Sequence, residues 1–307
     1  MRFLILIVFI LTVSLLEFCT NETQEINLNV SAQEIAIDST KYYDSLYAPL
    51  KKSIDSVFYK KFTKRQFNGS FLFAKKGRVI INKAYGYADL KTKDSLSLAN
   101  TFQLASASKP FTAIAILQLY EKGLINLNDS ISHFFPEFPF SGIDIHQLLC
   151  HRSGLSQYTH FCDAPDSIWP DKKQTIHNND VIEIISKIVP LINYPPNKKY
   201  YYCNTNYILL ASIIEKVSDM KFEDYLQKNI FDPLGMNSTK VFKRDNFDQL
   251  IQPARGHVSS KLYADNTYLN GCVGDKGIYS NVKDLFAFDR ALHNHSLIKE
   301  ETYQLAI

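Results

Sequence analysis

A serine followed three residues later by a lysine is the first pair in this chain able to do covalent chemistry. The hydroxyl can attack a carbonyl once its proton is drawn off, and an amine one helical turn away lies within about 5–6 Å. Four such pairs occur: Ser106/Lys109, Ser218/Lys221, Ser280/Lys283 and Ser296/Lys299. The bare pattern arises readily by chance, so context has to separate them. The second constellation is Tyr202-Cys203-Asn204, in which the tyrosine can carry a proton and the asparagine can clamp an amide. The same triplet recurs as Tyr279-Ser280-Asn281. The ordinary alternative for both groups is helix capping, because serine and asparagine are favoured N-caps.

Context favours the first pair. Pro110 is tolerated only in a first helical turn, so the helix running to Lys122 must begin close to Ser106, with Gly123 as its C-terminal stop. Its residues Phe111, Ala113, Ile114, Ala115, Ile116, Leu117 and Leu119 are apolar nearly all round, which predicts a central, buried helix. Ser106 is then expected at a helix mouth, where free amides and the positive dipole end favour a developing anion. Lys109 would meet it there in a dry cleft. Tyr202 and Asn204 stand at the mouth of a second apolar helix carrying Ile208, Leu209, Leu210, Ile213 and Ile214.

Two helix mouths need a scaffold. Gly69 to Asp89 reads as a hairpin: Ser70 to Ala74, a turn at Lys75-Lys76-Gly77-Arg78, then Val79 running on to Tyr87. Helical spacing marks Lys41 to Lys61, Asp180 to Ile188, Asn206 to Val217, Phe222 to Ile230 and Asn281 to Leu292. Two strands make no stable sheet alone, so further strands are expected, either too weak to read or beyond Ile307.

These segments resemble the serine β-lactamase and penicillin-binding-protein superfamily, in particular its class C β-lactamase-like branch. The matches follow the family's order: the hairpin Gly69 to Asp89; Phe102 to Ala113 around Ser106; Ile145 to Leu155, similar to L-L-x-H-x-S-G-L; Tyr202-Cys203-Asn204; Pro233-Leu234-Gly235-Met236; and Gly277 to Leu285, like G-hydrophobic-x-S-x-x-x-D-L. The resemblance implies an α/β fold (α+β type) of β-lactamase/transpeptidase form, an antiparallel sheet with flanking helices and a mostly helical subdomain over about Leu124 to Lys240. It implies Ser106 as the acyl-accepting nucleophile, Lys109 drawing off its proton or holding the base, Tyr202 as general base and acid, and Asn204 as a contact to the substrate amide or to Lys109. Tyrosine ordinarily titrates near 10, so a tyrosine base needs its anion stabilised by up to about 4 kcal/mol, for which Lys109 is the available cation. Alternatively a neutral Lys109 is the base and Tyr202 relays the proton. The implied function is hydrolysis, through an acyl-enzyme, of an ester, a β-lactam or a D-alanyl peptide. A non-hydrolytic relative binding peptide or a partner in the same cleft is the alternative.

One departure stands out. After Tyr202 no lysine or histidine is followed two residues later by glycine, as the family's K-T-G or H-x-G motif requires, and Lys75-Lys76-Gly77 belongs to the hairpin turn. The expectation is a C-terminally incomplete chain lacking its closing strands.

Composition fits this class. Of 307 residues 46% are apolar and 21% charged, enough for a large core. A net charge of +3 with arginines scattered along the chain excludes a nucleic-acid footprint. Arg2, the apolar run Phe3 to Leu16 and the polar exit Thr20 to Thr23 read as a secretory signal over residues 1–19, ahead of a tether at 20–40 and the hydrolase domain at 41–307. Export to the periplasm or cell envelope is expected, with Cys19 or a retained signal as the route to membrane attachment. The five cysteines follow no metal spacing, and among Cys150, Cys162, Cys203 and Cys272 a disulfide and four free thiols both stay open. His293 and His295 read as a solvated helix end, and His151 as a turn buttress. No metal or organic cofactor is implied, and the partner is a small-molecule or peptide substrate acted on by a monomer.

Overall fold

The computed structural model describes residues 32–163, 169, 171–243, 250–259, 262–264 and 267–307. The signal-like stretch, Cys19 and the early part of the expected tether lie outside them. Helix α1 spans Ala32–Thr63, so it starts well ahead of the predicted Lys41 and takes in the later part of that tether. The division between the two compact units of the chain, ending and starting at Leu50 and Lys51, falls within it.

The hairpin forms as β1 (Gly69–Lys75) and β2 (Arg78–Tyr85), antiparallel, with Lys75 opposite Arg78. Lys76 and Gly77 both have positive φ, 51° and 74°, the two-residue turn whose twist matches that of the strands. β2 does not run on as predicted: Tyr87–Asp89 (β3) turns away to pair with Asp94–Ser95 (β4). A helix layer stabilises the isolated hairpin. Phe58 of α1 stacks on Phe71 at 3.8 Å, Phe62 stacks on Tyr85, and Asp55 accepts from Lys83 Nζ at 2.5 Å.

The expected mixture of antiparallel sheet and flanking helices is present, with the strands divided into four small antiparallel sheets among the described residues. Beyond the hairpin, Phe102–Gln103 (β5), Lys240–Val241 (β6) and Ile278–Ser280 (β9) form the order β5-β9-β6, while His257–Ser259 (β7) pairs with Leu262–Tyr263 (β8). Strands of two or three residues have too few alternations to show a period, so they were invisible in the sequence.

The core is helical. Helix α2 (Lys109–Glu121) buries Phe111, Ala115, Ile116 and Leu119 completely or nearly so, each large side chain stabilising by about 1.5–3 kcal/mol. It ends as expected at Gly123, whose N–H reaches Tyr120 O at 2.9 Å while Leu124 N–H reaches Leu119 O at 3.1 Å. After the short helices α3 (Ile131–Phe134), α4 (Ile145–Leu149) and α5 (Tyr158–Asp163) come α6 (Asn178–Ile188) and α7 (Asn204–Ser218). Helix α7 is buried on nearly every side and packs along α2. Helix α8 (Phe222–Leu226) runs into one turn of π-helix at Gln227–Phe231, and α9 (Val282–His293) and α10 (Glu300–Gln304) follow.

Between the mouths of α2 and α7 lies the segment Val273 to Ile278, held at almost every residue. Asn178 clamps both backbone groups of Val273, Thr112 Oγ1 donates to Gly274 O at 2.8 Å, and Ile278 N–H donates to Ser108 Oγ at 3.1 Å. Gly274 has φ 101°, and a Cβ there would stand 2.3 Å from Tyr207 O. Gly274→Ala is therefore expected to destabilise the fold by about 2–4 kcal/mol, combining backbone strain with the clash. Urea unfolding checks this; an unchanged midpoint would show that the segment has room to move.

Candidate active site

Ser106 lies in a turn of 3-10 helix, Ala105–Ser108, that leads straight into α2. Ala105 is held at φ 48°, a left-handed conformation costing an alanine about 1–3 kcal/mol. Flanking bonds maintain it, Leu104 N–H to Ile278 O at 2.8 Å and Ala107 N–H to Leu104 O at 3.0 Å. The extra turn lifts Ser106 off the helix proper. Ser106 and Tyr202 are exposed, Tyr202 at 38%, so Ser106 faces water, against the dry mouth that the apolar helix predicts.

Lys109, the first residue of α2, is only 6% exposed. Taking an ammonium out of water costs several kcal/mol unless its hydrogens meet acceptors. Three do: Ser106 Oγ at 3.2 Å, Asn204 Oδ1 at 2.9 Å and Asp275 O at 2.8 Å. An ammonium has three donors and no acceptor, so this shell suits the charged form. The rings of Tyr202 and Tyr207, with centroids 4.9 and 5.5 Å from Nζ, add cation–π attraction. From the other side the Tyr202 hydroxyl donates to Ser106 Oγ at 2.7 Å. All four sequence-predicted residues thus share one cluster.

Capping explains none of the four. The N-cap of α2 is Ser108, whose hydroxyl faces Ile278 N–H, and the N-cap of α7 is Cys203, leaving the Asn204 side chain to Lys109. The rival motifs resolve differently. Ser218 Oγ donates to Ile214 O, Ser296 Oγ to Ala291 O, and Ser280 Oγ bonds Thr239 Oγ1. In the second triplet Asn281 caps α9 and Tyr279 is buried in the core.

Several contributors were missed. Nothing in the sequence marks the Asp275 carbonyl as a lysine acceptor, since any residue supplies one. Behind it the Tyr158 phenol donates to Asp275 Oδ2 at 3.1 Å and accepts from Lys276 Nζ. Burial pushes the Asp275 carboxyl above the usual carboxylate range, opposed by Lys276 and Lys109, and pushes the Tyr158 phenol well up. Gln157 holds both ends of the triplet: its Nε2 donates to Tyr202 O and its Oε1 accepts from Asn204 N–H, each at 2.8 Å. His151 does buttress a turn, its carbonyl accepting from Tyr201 N–H, and its Nδ1 also accepts from Cys203 N–H at 3.1 Å.

The side chains of the remaining candidates stay apart from this cluster. Among the described residues Cys150, Cys162, Cys203 and Cys272 form no disulfide; Cys150 is exposed and the others buried, with Cys203 Sγ facing Ser156 O. His293 is a solvent-facing helix end bonded to Asp289 O.

Compared with known proteins, residues 56–307 match the family model described as Beta-lactamase. A penicillin-binding protein of Bacillus subtilis strain 168 is 35% identical over 269 residues, 83% of this chain and 59% of the relative. Among solved structures, the octameric penicillin-binding protein homologue of Pyrococcus abyssi superposes with a TM-score of 0.70 at 26% identity, covering 82% of this chain and 59% of that one. A penicillin-binding protein of Bacillus halodurans superposes with a TM-score of 0.68 at 26% identity over 80% of this chain and 76% of its own. The chain spans little more than half the length of the Bacillus subtilis relative. The expected monomer finds no support in this set.

The setting of His151 generates a pH dependence. Burial, helped by the nearby Lys109 charge, pushes this imidazole down to about 4 from 6.5. The unfolded chain therefore binds a proton between pH 6.5 and about 4 that the folded chain refuses, and stability falls as pH falls through that window. The loss is about 1–3 kcal/mol for a side chain 8% exposed. Urea unfolding at pH 7 and pH 4.5 should show this slope, and His151→Asn should flatten it. Equal slopes in the two proteins would place the cause elsewhere.

Proposed function

The chain belongs to the Beta-lactamase family, and from that premise we propose that it is a serine hydrolase in which Ser106 forms the acyl-enzyme. The observation that carries this reading is the convergence on one hydroxyl of a buried ammonium at 3.2 Å and a phenol at 2.7 Å. The three contacts of Lys109 are all acceptors, which favours Tyr202 as the base and Lys109 as a fixed cation.

Once the Tyr202 phenol has given its own proton to solvent, Tyr202 accepts the Ser106 proton rather than donating. Ser106 Oγ then bonds to the substrate carbonyl carbon, and the negative oxygen sits near the Ser106 amide, in a turn whose first N–H groups have no helical partner. As the carbon–leaving-group bond breaks, Tyr202 returns its proton to the departing nitrogen or oxygen. Water next attacks the ester carbon, gives a proton to Tyr202, and Ser106 leaves with that proton. Asn204 stands beside Lys109, placed to hold a substrate amide or to orient the ammonium. The exposure of Ser106 suits substrates carrying bulk on one side, namely esters, β-lactams or D-alanyl peptides. The apolar run after Arg2 supports action outside the cytoplasm, where a cell-wall peptide would be met.

The test exposes the purified protein to a fluorescent penicillin and to a p-nitrophenyl ester, following label and mass. The expected outcome is covalent labelling lost completely in Ser106→Ala and slowed by about 10²–10⁴ in Lys109→Ala and Tyr202→Phe. Labelling undiminished in Ser106→Ala would sink the nucleophile, while reversible binding without a mass increase would point to a binding protein.

A further inference from the structure

Tyr202 works only if its phenol stays on Ser106, yet the backbone that carries it is not helical. Cys203 is the N-cap of α7, at φ −142° and ψ 121°, and its side chain makes no capping bond. One backbone group from each of three consecutive residues here instead meets a side chain from the loop after α4. Gln157 Nε2 donates to Tyr202 O, His151 Nδ1 accepts from Cys203 N–H, and Gln157 Oε1 accepts from Asn204 N–H. The His151 ring also lies against the Tyr202 ring, centroids 4.5 Å apart, and against Tyr207 at 5.1 Å.

We propose that His151 and Gln157 are positioning residues that hold Tyr202 and Asn204 on the Ser106–Lys109 pair by fixing the backbone between them. The inference rests on Tyr202 being the proton carrier. His151 can fill this place because an amide N–H only donates, which makes Nδ1 the acceptor and puts the ring proton on Nε2. Its own backbone sits at φ 54°, held by the Tyr201 N–H bond to its carbonyl, and its ring is bounded by the Tyr202 and Tyr207 rings. Gln157 serves in two directions because its amide side chain presents a donor and an acceptor on two separate atoms. A displacement of the phenol by about 1 Å is enough to cost about 10²-fold in rate. Neither side chain hydrogen-bonds Ser106 or Lys109 directly, so the hydrogen-bonded route from them to the reaction runs through the triplet.

Asparagine and leucine separate the bond from the ring. Both remove the imidazole and have nearly the same shape, but only asparagine can accept the Cys203 N–H. Single-turnover acylation and steady-state hydrolysis of a p-nitrophenyl ester are measured for His151→Asn, His151→Leu, Gln157→Leu and Tyr202→Phe, with melting curves for each. The expected result is kcat lowered about 10–100-fold in His151→Leu and Gln157→Leu, KM within about threefold, and His151→Asn restored to within about fivefold of the parent. Should His151→Leu lack a cooperative melt, His151→Gln reads the same bond, its amide lying one carbon too far out for the Cys203 N–H. Tyr202→Phe inactive with His151→Leu and Gln157→Leu at parental kcat would overturn the positioning role alone. Tyr202→Phe at parental kcat would overturn the proton-carrier reading beneath it. Equal losses in the asparagine and leucine variants would assign the effect to the ring and overturn the hydrogen-bond account.

Discussion

An ammonium removed from water must have each of its hydrogens met, and at Lys109 the three acceptors come from three separate stretches of chain. Ser106 arrives from the preceding turn, Asn204 from the mouth of α7 and the Asp275 carbonyl from the segment ahead of β9. Removing any one would leave a buried charge partly unpaired, at a cost larger than an ordinary hydrogen bond. The packing of α2 on α7 and the threading of residues 273–278 between them are the geometry that this one requirement imposes.

Rigidity around that charge is built from backbone contacts. The Val273 to Ile278 segment is bonded by Asn178, Thr112, Lys109 and Ser108, and the Tyr202 to Asn204 segment by His151 and Gln157. Both segments are irregular, and irregular buried backbone needs side chains to satisfy it. Polar residues that serve the cluster sit where the two helices begin, while the middle turns of α2 and α7 are mostly apolar. Strain is placed there too, at Ala105 and at His151, where flanking bonds over-determine the backbone.

How much could be read beforehand followed the length of each periodic run. The hairpin around Lys76-Gly77 and the helices through Ile116, Ile184, Leu209 and Phe288 show full periods, and each formed within a few residues of its expected limits. β5, β6 and β9 could not be read, because strands this short are stabilised by distant partners rather than by their own alternation. The helical start at Ala32 was missed because the apolar positions ahead of Lys41 stop at Ile37, too short a run to show a period, and the turning away of Tyr87–Asp89 because pairing with Asp94–Ser95 is a tertiary choice.

The sequence by itself determined the two apolar helices, the proline and glycine that bound the first of them, and the identities of Ser106, Lys109, Tyr202 and Asn204. Those follow from local spacing, covalent geometry and family resemblance. Tertiary structure decided which of the four serine–lysine pairs meets a tyrosine, that Ser106 faces water while Lys109 does not, and that Asp275, His151 and Gln157 serve the cluster. The reason is physical: a hydrogen bond between residues far apart in the chain leaves no period in sequence, and a backbone carbonyl has no residue type by which to be recognised.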